Sequence, residues 1–414
     1  MLEPAVDEER AVGWLRRAIG TPSITGDEGA FAQLVAEELR AIGADEVHLE
    51  EVEPGRPIVW SVTRGAGGGR SLLLSGHLDT VRVDGWQERW RGDEREDPFG
   101  AALADGAIWG RGAGDLKAGI ATALAALRTL RGHGVQLAGD VVTAWVCDEE
   151  SGEPGRGRSL GMRAVSERLA AGVIPHADFA IYLEPTRLAV FTAQIGFLIA
   201  EVEIAGRSAY FGRPEEGVDA LRAGHRVLSE LWRLADDLPA RGEHALVGPP
   251  RLLVTGAQAG GYVAVPGSCQ LSLIRSLIPG EDLEQAAAEI ETVALRAVEG
   301  TGAEATVSFP AGRDHRLGGL PAETASELDR VQLLLACVRR WRPEAATIGG
   351  APYWAEMSFL VASGMPCVYW APGDIANCHT AEEHVDVGEF LDGVRALTQF
   401  MAGHCGAGPT KGGS

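Results

Sequence analysis

Two histidines and a group of carboxylates recur just after short apolar runs. SLLL leads into SGHLDT with His77 and Asp79, and VVTAWVC leads into DEES with Asp148, Glu149 and Glu150. FAIYL leads into EPT with Glu184, and MPCVYW leads into APGDIANCHTAEE with His379, Glu382 and Glu383. Asp115, in GRGAGD ahead of a long helical stretch, is a fifth group. Imidazoles and carboxylates gathered in one place bind divalent metal ions, and such sites run metal-assisted hydrolysis. His77 and Asp79 alternate in extended chain and so share a side; the Asp79 carboxylate can accept the second ring N–H and fix the tautomer. The two oxygens of Asp115 can bridge ions ~3.5–4 Å apart. Glu149 and Glu150 are adjacent and point to opposite sides, so one can hold metal while the other faces the attacking water as general base. Each residue alone has a plainer explanation: a structural histidine, a helix N-cap at Asp115, a solvated turn at Glu149–Glu150. Their coincidence favours the metal site.

These residues need a scaffold that brings strand ends together. The runs SLLL, VVTAWVC and FAIYL read as buried strands, and DLKAGIATALAALRTL places Leu116, Ile120, Leu124, Leu127 and Leu130 on one helical stripe. Strand–helix alternation of this type predicts an α/β domain with a mostly parallel sheet and helices on both faces. In such a sheet, ligands bind outside the carboxyl ends of the strands, where the groups above fall. From about Gly196 the pattern changes to strand, helix, two strands, helix, strand, which predicts an inserted α+β sandwich. The α/β pattern then returns. The expected division is 1–195 and 312–414 for a split catalytic domain, with 196–311 as the insertion.

The chain has 414 residues, 45% hydrophobic and 23% charged, as expected of a folded multidomain protein. A net charge of −21 repels nucleic-acid phosphates and anionic lipid, so neither is an expected partner. The six cysteines form no CxxC pair, and the acidic MLEPAVDEER lacks the apolar core of a secretory signal. No apolar run is long enough to span a bilayer. A reduced, cytoplasmic protein is the expectation.

Taken in order, SGHLDTV, GRGAGDLKAG, DEESG, LEPT and CHTAEE resemble the motifs of the M20 metallopeptidase family, which includes acetylornithine deacetylase, succinyl-diaminopimelate desuccinylase, aminoacylase and carboxypeptidase G. The resemblance covers nearly the whole chain. It implies a lid or dimerisation role for the insertion, a homodimer, and two divalent ions, zinc foremost, with cobalt or manganese also suited. It implies His77, Asp115, Glu150, Glu184 and His379 as metal ligands, with Asp115 shared. It further implies Glu149 as general base and Asp79 as the residue orienting His77. The reaction implied is cleavage of an amide bond in a small N-acyl amino acid or related substrate.

Three positions in the insertion bear on the substrate. Tyr210, in GRSAYFG, stands where the family commonly has a histidine that donates a hydrogen bond to substrate, and a phenol can donate one too. Ala264, in GGYVAVPG, stands where the family has asparagine. Arg275 matches the family arginine that pairs with a substrate carboxylate. Glu356, in WAEMSF, resembles an acidic position of the acetylornithine deacetylase-like members. A dipeptidase or carboxypeptidase is an alternative to the deacylase, and the altered shell adds another: a metal-binding protein, or a biosynthetic enzyme using the scaffold for non-hydrolytic acyl transfer or condensation.

Overall fold

The computed structural model describes residues 5–150 and 157–407. Ser151 and Gly152 of the DEESG motif, and the first four residues of MLEPAVDEER, lie outside them. The chain divides into two compact units, 1–192 with 324–349 and 359–414, and 193–323 with 350–358.

The first unit is built on a mostly parallel sheet. Strand Leu72–His77 lies between Val141–Val146 and Phe179–Tyr182 and is parallel to both. Cys367–Tyr369 extends the sheet, parallel to Phe179–Tyr182. On the other side, Arg56–Thr63 pairs antiparallel with Val141–Val146, and Glu46–Glu53 closes that edge. Every residue of Leu72–His77, Val141–Val146 and Phe179–Tyr182 is buried. Both faces of the sheet are therefore covered, which is why these strands read as unbroken apolar runs. Burial of a leucine such as Leu72, Leu73 or Leu74 contributes ~1.5–3 kcal/mol.

The helices begin where the sequence supplies caps. Glu8–Ile19 starts at Asp7, whose carboxylate accepts the Arg10 N–H at 3.1 Å. Val387–His404 starts at Asp386, which accepts from Glu389 at 2.7 Å. Helix Ala118–Gly132 buries Ile120, Leu124, Leu127 and Leu130, and Leu116 of the same stripe is buried just ahead of it. Thr192, where the first stretch of this unit ends, accepts through its carbonyl from the Thr324 N–H at 2.8 Å, where the chain re-enters.

The second unit is an antiparallel sheet in the order Arg251–Ala259, Ser268–Leu277, Gly196–Ala205, Glu304–Ser308. Helices Ala220–Asp237 and Leu283–Val298 cover it. Leu198, Ala200, Val202 and Ile204 alternate along one strand and Leu271 and Leu273 along the next. They form one core with Val227, Leu231, Ile290 and Ala294 of the helices. Residues 312–323, given to the third segment from the sequence, cluster with this unit, because Gly318 and Gly319 pair with Leu198 and Phe197. Among the described residues, no helix is long and apolar enough to cross a membrane.

Candidate metal centre

Because Leu72–His77, Val141–Val146, Phe179–Tyr182 and Cys367–Tyr369 run the same way, their carboxyl ends open on one edge of the sheet. His77 is the last residue of its strand. Glu149 and Glu150 follow a turn at Asp148, whose backbone is left-handed (φ 68°). Glu184 lies two residues past its strand. His379, also left-handed (φ 62°), sits on the loop after Cys367–Tyr369.

The five expected ligands meet around Asp115. Its Oδ1 faces His77 Nε2 at 3.0 Å, and its Oδ2 faces His379 Nε2 at 3.2 Å. Glu184 Oε1 is 3.6 Å from His77 Nε2, and Glu150 Oε1 is 2.9 Å from His379 Nε2. Each oxygen of Asp115 thus has its own imidazole, and each imidazole its own glutamate. The ligand atoms of His77, Asp115 and Glu150 all lie within 4.8 Å of one another. All of these residues are buried except His379, whose side chain is half-exposed.

Asp115 is not a helix cap. Helix Ala118–Gly132 starts three residues later, and Asp115 itself is non-helical (φ −116°, ψ 96°), which turns its carboxylate toward the imidazoles. Gly112 makes this turn possible. It adopts φ +82°, and a Cβ there would come within 2.8 Å of Thr80 Cγ2 and 3.1 Å of Lys117 Cδ.

The electrostatics suit a divalent cation. Burial pushes the Glu150 carboxyl up to about 8, with the neighbouring Asp115 charge adding to the rise. Burial and Asp115 likewise hold Glu184 well above the carboxylate range. Burial alone would raise Asp115 too, but hydrogen bonding to His379 and His77 outweighs it and lowers that carboxyl. The same contacts raise His379 to about 11, and they lift His77 far above an ordinary imidazole against the opposing effect of burial. Several carboxylates sharing a buried space repel one another. A divalent ion facing the same oxygens and imidazole nitrogens would supply the balancing charge in place of imidazole protons, and the N/O donor set is one that zinc, cobalt and manganese accept.

Asp79 departs from the expected arrangement. His77 Nδ1–H donates to the main-chain carbonyl of Asp79 at 2.8 Å, which leaves Nε2 free to bind metal. The Asp79 carboxylate is 3.8 Å from that ring. It accepts instead from the Glu150 N–H at 3.0 Å, the Glu149 N–H at 3.3 Å and the Thr25 hydroxyl at 3.0 Å. Its side chain therefore hydrogen-bonds the glutamate turn, while it faces the imidazole at ion-pair distance without a hydrogen bond. Glu149 is half-buried, and its charge contributes to raising both His77 and Glu184.

The remaining expected residues lie in the second unit. Arg275 shares the parity of Leu271, Leu273 and Leu277, so it points to the helix-covered side of its sheet. It is buried there and pairs with Glu281 at 2.5 Å, so its charge is already matched. Tyr210 is exposed, lies against Phe211 with ring centroids 4.6 Å apart and planes tilted by 55°, and forms an isolated antiparallel bridge with Ala264. The two departures from the family pattern are thus direct partners. Glu356 is fully buried.

Sequence reasoning passed over Lys117 and Arg111, although both stand in the quoted GRGAGDLKAG. Lys117 is buried, and its Nζ donates to the carbonyls of Thr21 at 2.7 Å and Ala18 at 3.1 Å; burial pulls the amine down to about 7. A basic residue in a motif otherwise read for acidic ligands was the available signal.

Residues 73–403 match the model of peptidase family M20/M25/M40. The chain is 30% identical over 353 residues to an acetylornithine deacetylase of Myxococcus xanthus, covering 84% of this chain and 83% of that one. It is 26% identical over 385 residues to an N-formyl-4-amino-5-aminomethyl-2-methylpyrimidine deformylase of Bacillus subtilis, covering 86% and 84%. The crystal structure of aminopeptidase PepT from Bacillus cereus shares the fold, with a TM-score of 0.76 at 17% identity over 96% of this chain and 98% of that one.

Proposed function

Because the chain belongs to peptidase family M20/M25/M40, and is thereby a metal-dependent amidohydrolase or peptidase, we propose that it removes a short acyl group from the amine of a small molecule. The observation carrying this reading is the buried cluster around Asp115 with Glu149 beside it. The relatives named for deacetylation and deformylation support the short acyl group. An N-acyl amino acid or a close analogue fits the same description.

In this reading, His77, Asp115, Glu150, Glu184 and His379 would hold two divalent ions, zinc foremost, with Asp115 shared between them. When bound, the ions supply Lewis acidity toward the scissile carbonyl oxygen and the attacking water. Glu149 takes the proton from that water and returns it to the leaving amine, so the amide is replaced by a carboxylate and a free amine. Asp79 keeps Glu149 in place through its backbone N–H. Tyr210 remains available as a hydrogen-bond donor. Arg275 has no part here, since Glu281 holds it. Self-association through the second unit belongs to the same reading and is supported by the edge strand Arg251–Ala259, on which Leu253 is exposed.

The test is bound metal by elemental analysis, with amine release from N-formyl and N-acetyl amines, N-acyl amino acids and dipeptides, with and without chelator. Near two ions per chain and chelator-sensitive release from the short acyl substrates is the expected result. Release from dipeptides alone would replace this reading with a dipeptidase. Failure to take up metal would overturn it entirely. Glu149→Ala should lose turnover by ~10²–10⁴-fold and keep its metal.

A further inference from the structure

The loop that carries Asp115 and the loop that carries His379 are far apart in sequence, yet both ligands must be held in one geometry. Glu383 stands between them. Its Oε1 accepts the main-chain N–H of Gly114 and of Asp115, each at 3.1 Å. Its Oε2 is gripped by Arg111 Nη1, from the same stretch as Asp115. Its own carbonyl accepts from the Gly110 N–H at 3.2 Å. Arg111 and Glu383 are 2% and 1% exposed, so this pair is sealed from water and water cannot replace its bonds.

The rest of the His379 loop is fastened to the same neighbourhood. Trp90 Nε1–H donates to the Ala381 carbonyl at 2.5 Å, and Arg89 pairs with Glu382 at 2.5 Å. His384 stacks on Trp109 with centroids 4.2 Å apart, in register with the short antiparallel pairing of His384–Asp386 and Ala107–Trp109. Arg111 also donates through Nε to the Arg82 carbonyl at 3.0 Å and lies over the Trp86 ring. Contact is close enough that a Cβ on Gly114 would fall 3.1 Å from Cys378 Sγ. The backbone leading into Asp115 is thus pinned to the segment four residues beyond His379.

We propose that the side chain of Glu383, held by Arg111, is a positioning clasp for the metal centre: through the Gly114 and Asp115 amides it joins the Asp115 loop to the His379 loop, and thereby sets metal affinity. This rests on the metal-centre reading above. Glu383 touches neither expected ligand's donor atoms; it acts through the Gly114 and Asp115 amides. Partners of this kind change metal affinity by ~10–100-fold when removed.

The experiment is a zinc titration of the metal-free full chain against a competing chromophoric chelator, with the absorption spectrum of the cobalt-loaded protein recorded in parallel. Glu383→Ala should weaken zinc binding by ~10–100-fold and alter the cobalt spectrum. That variant strands the Arg111 charge, so folding is checked by circular dichroism. The double variant Arg111→Met with Glu383→Gln removes the charge and keeps an amide oxygen for the two N–H groups. It should recover most of the lost affinity. A folded Glu383→Ala protein that binds zinc like wild type, even if it melts earlier, overturns the clasp. So does a double variant that recovers nothing. Wild-type protein that takes up no ion overturns the metal-centre reading and this inference together, whereas normal wild-type uptake with an unaltered Glu383→Ala affinity overturns this inference alone.

Discussion

Replacing Asp79 by asparagine should damage Glu149 and spare the metal ligands. The wild-type carboxylate takes three hydrogen bonds, two of them at 3.0 Å, from Thr25 and Glu150 on one oxygen, and one at 3.3 Å from Glu149 on the other. Asparagine has one acceptor oxygen and one NH2. The better-bonded side keeps the oxygen, so the NH2 turns toward the Glu149 N–H and two donors oppose each other. A buried donor left without an acceptor costs about 1–3 kcal/mol, with a further loss from removing the charge of the acceptor. The turn can relieve this only by shifting Glu149, and a displacement of ~1 Å at a reacting group costs ~100-fold. His77 keeps its hydrogen bond, because its Nδ1–H donates to the Asp79 main-chain carbonyl, which asparagine retains. We therefore predict that Asp79→Asn lowers kcat by ~10–100-fold, binds metal as wild type does, and melts a few degrees lower. Steady-state kinetics, elemental analysis and thermal melting report the three quantities. A variant that loses metal while kcat per bound ion is unchanged would show that Asp79 serves His77 after all and would refute this reasoning.

Other perturbations bear on separate parts of the structure. Gly112→Ala should abolish activity and reduce soluble yield, since both its φ of +82° and the 2.8 Å approach to Thr80 exclude a side chain; expression and circular dichroism check this. Removing Arg275 should lower the melting temperature and leave KM unchanged, and in a double-mutant cycle with Glu281 the two losses should be strongly non-additive; a large KM increase would return Arg275 to substrate binding. His404 is buried against Phe179 and Phe400 and donates through Nε2 to the Ser71 carbonyl; burial lowers its pKa, with Arg70 and Arg330 acting the same way and Asp178 opposing. The unfolded chain binds the proton more readily, so the stability from the neutral ring is complete above about pH 6.5 and is lost as pH falls through the lower folded value. His404→Phe should flatten the fall in melting temperature between neutral and mildly acid pH, and an unchanged slope would refute it. Chelation should lower the melting temperature of wild type and restoring zinc should raise it in proportion to the logarithm of free zinc.

The clustering of His77, Glu150, Glu184 and His379 was legible because each is a metal-binding type that follows an unbroken apolar run, and an apolar run buried on both faces marks a central parallel strand; Asp115 stood out only through its motif. The hydrogen-bond partner of His77 was not legible. A main-chain carbonyl leaves no trace in residue identity, so the Asp79 side chain was the only visible acceptor. Arg275 is a different case, since the alternation of Leu271, Leu273, Arg275 and Leu277 already put the guanidinium on the apolar side. That parity bears on the Glu281 pairing, while the substrate-binding role that the resemblance implies is left to the KM of the Arg275 variant. The Tyr210–Ala264 bridge joins residues from two separate loops, and spacing along the chain does not encode such pairing. The packing of 312–323 depends on a two-residue strand of glycines, too short to show a period.

The hydrogen bond from Thr324 to Thr192 has an evolutionary and a kinetic side. It makes the departure and return points of residues 193–323 immediate neighbours, so along this stretch the first unit is interrupted as if by a tight connection, although 350–358 also belongs to the second unit. The entropy of closing a long flexible loop falls on an intervening segment only if it is slack. An insertion with adjacent stems and an ordered core of its own carries little of that penalty. Such a module can lengthen, shorten or be exchanged for another with similar stems while His77 and His379 keep their separation. On the ribosome, His379 emerges long after His77, and an insertion with joined stems shortens the search by which it returns to its partners.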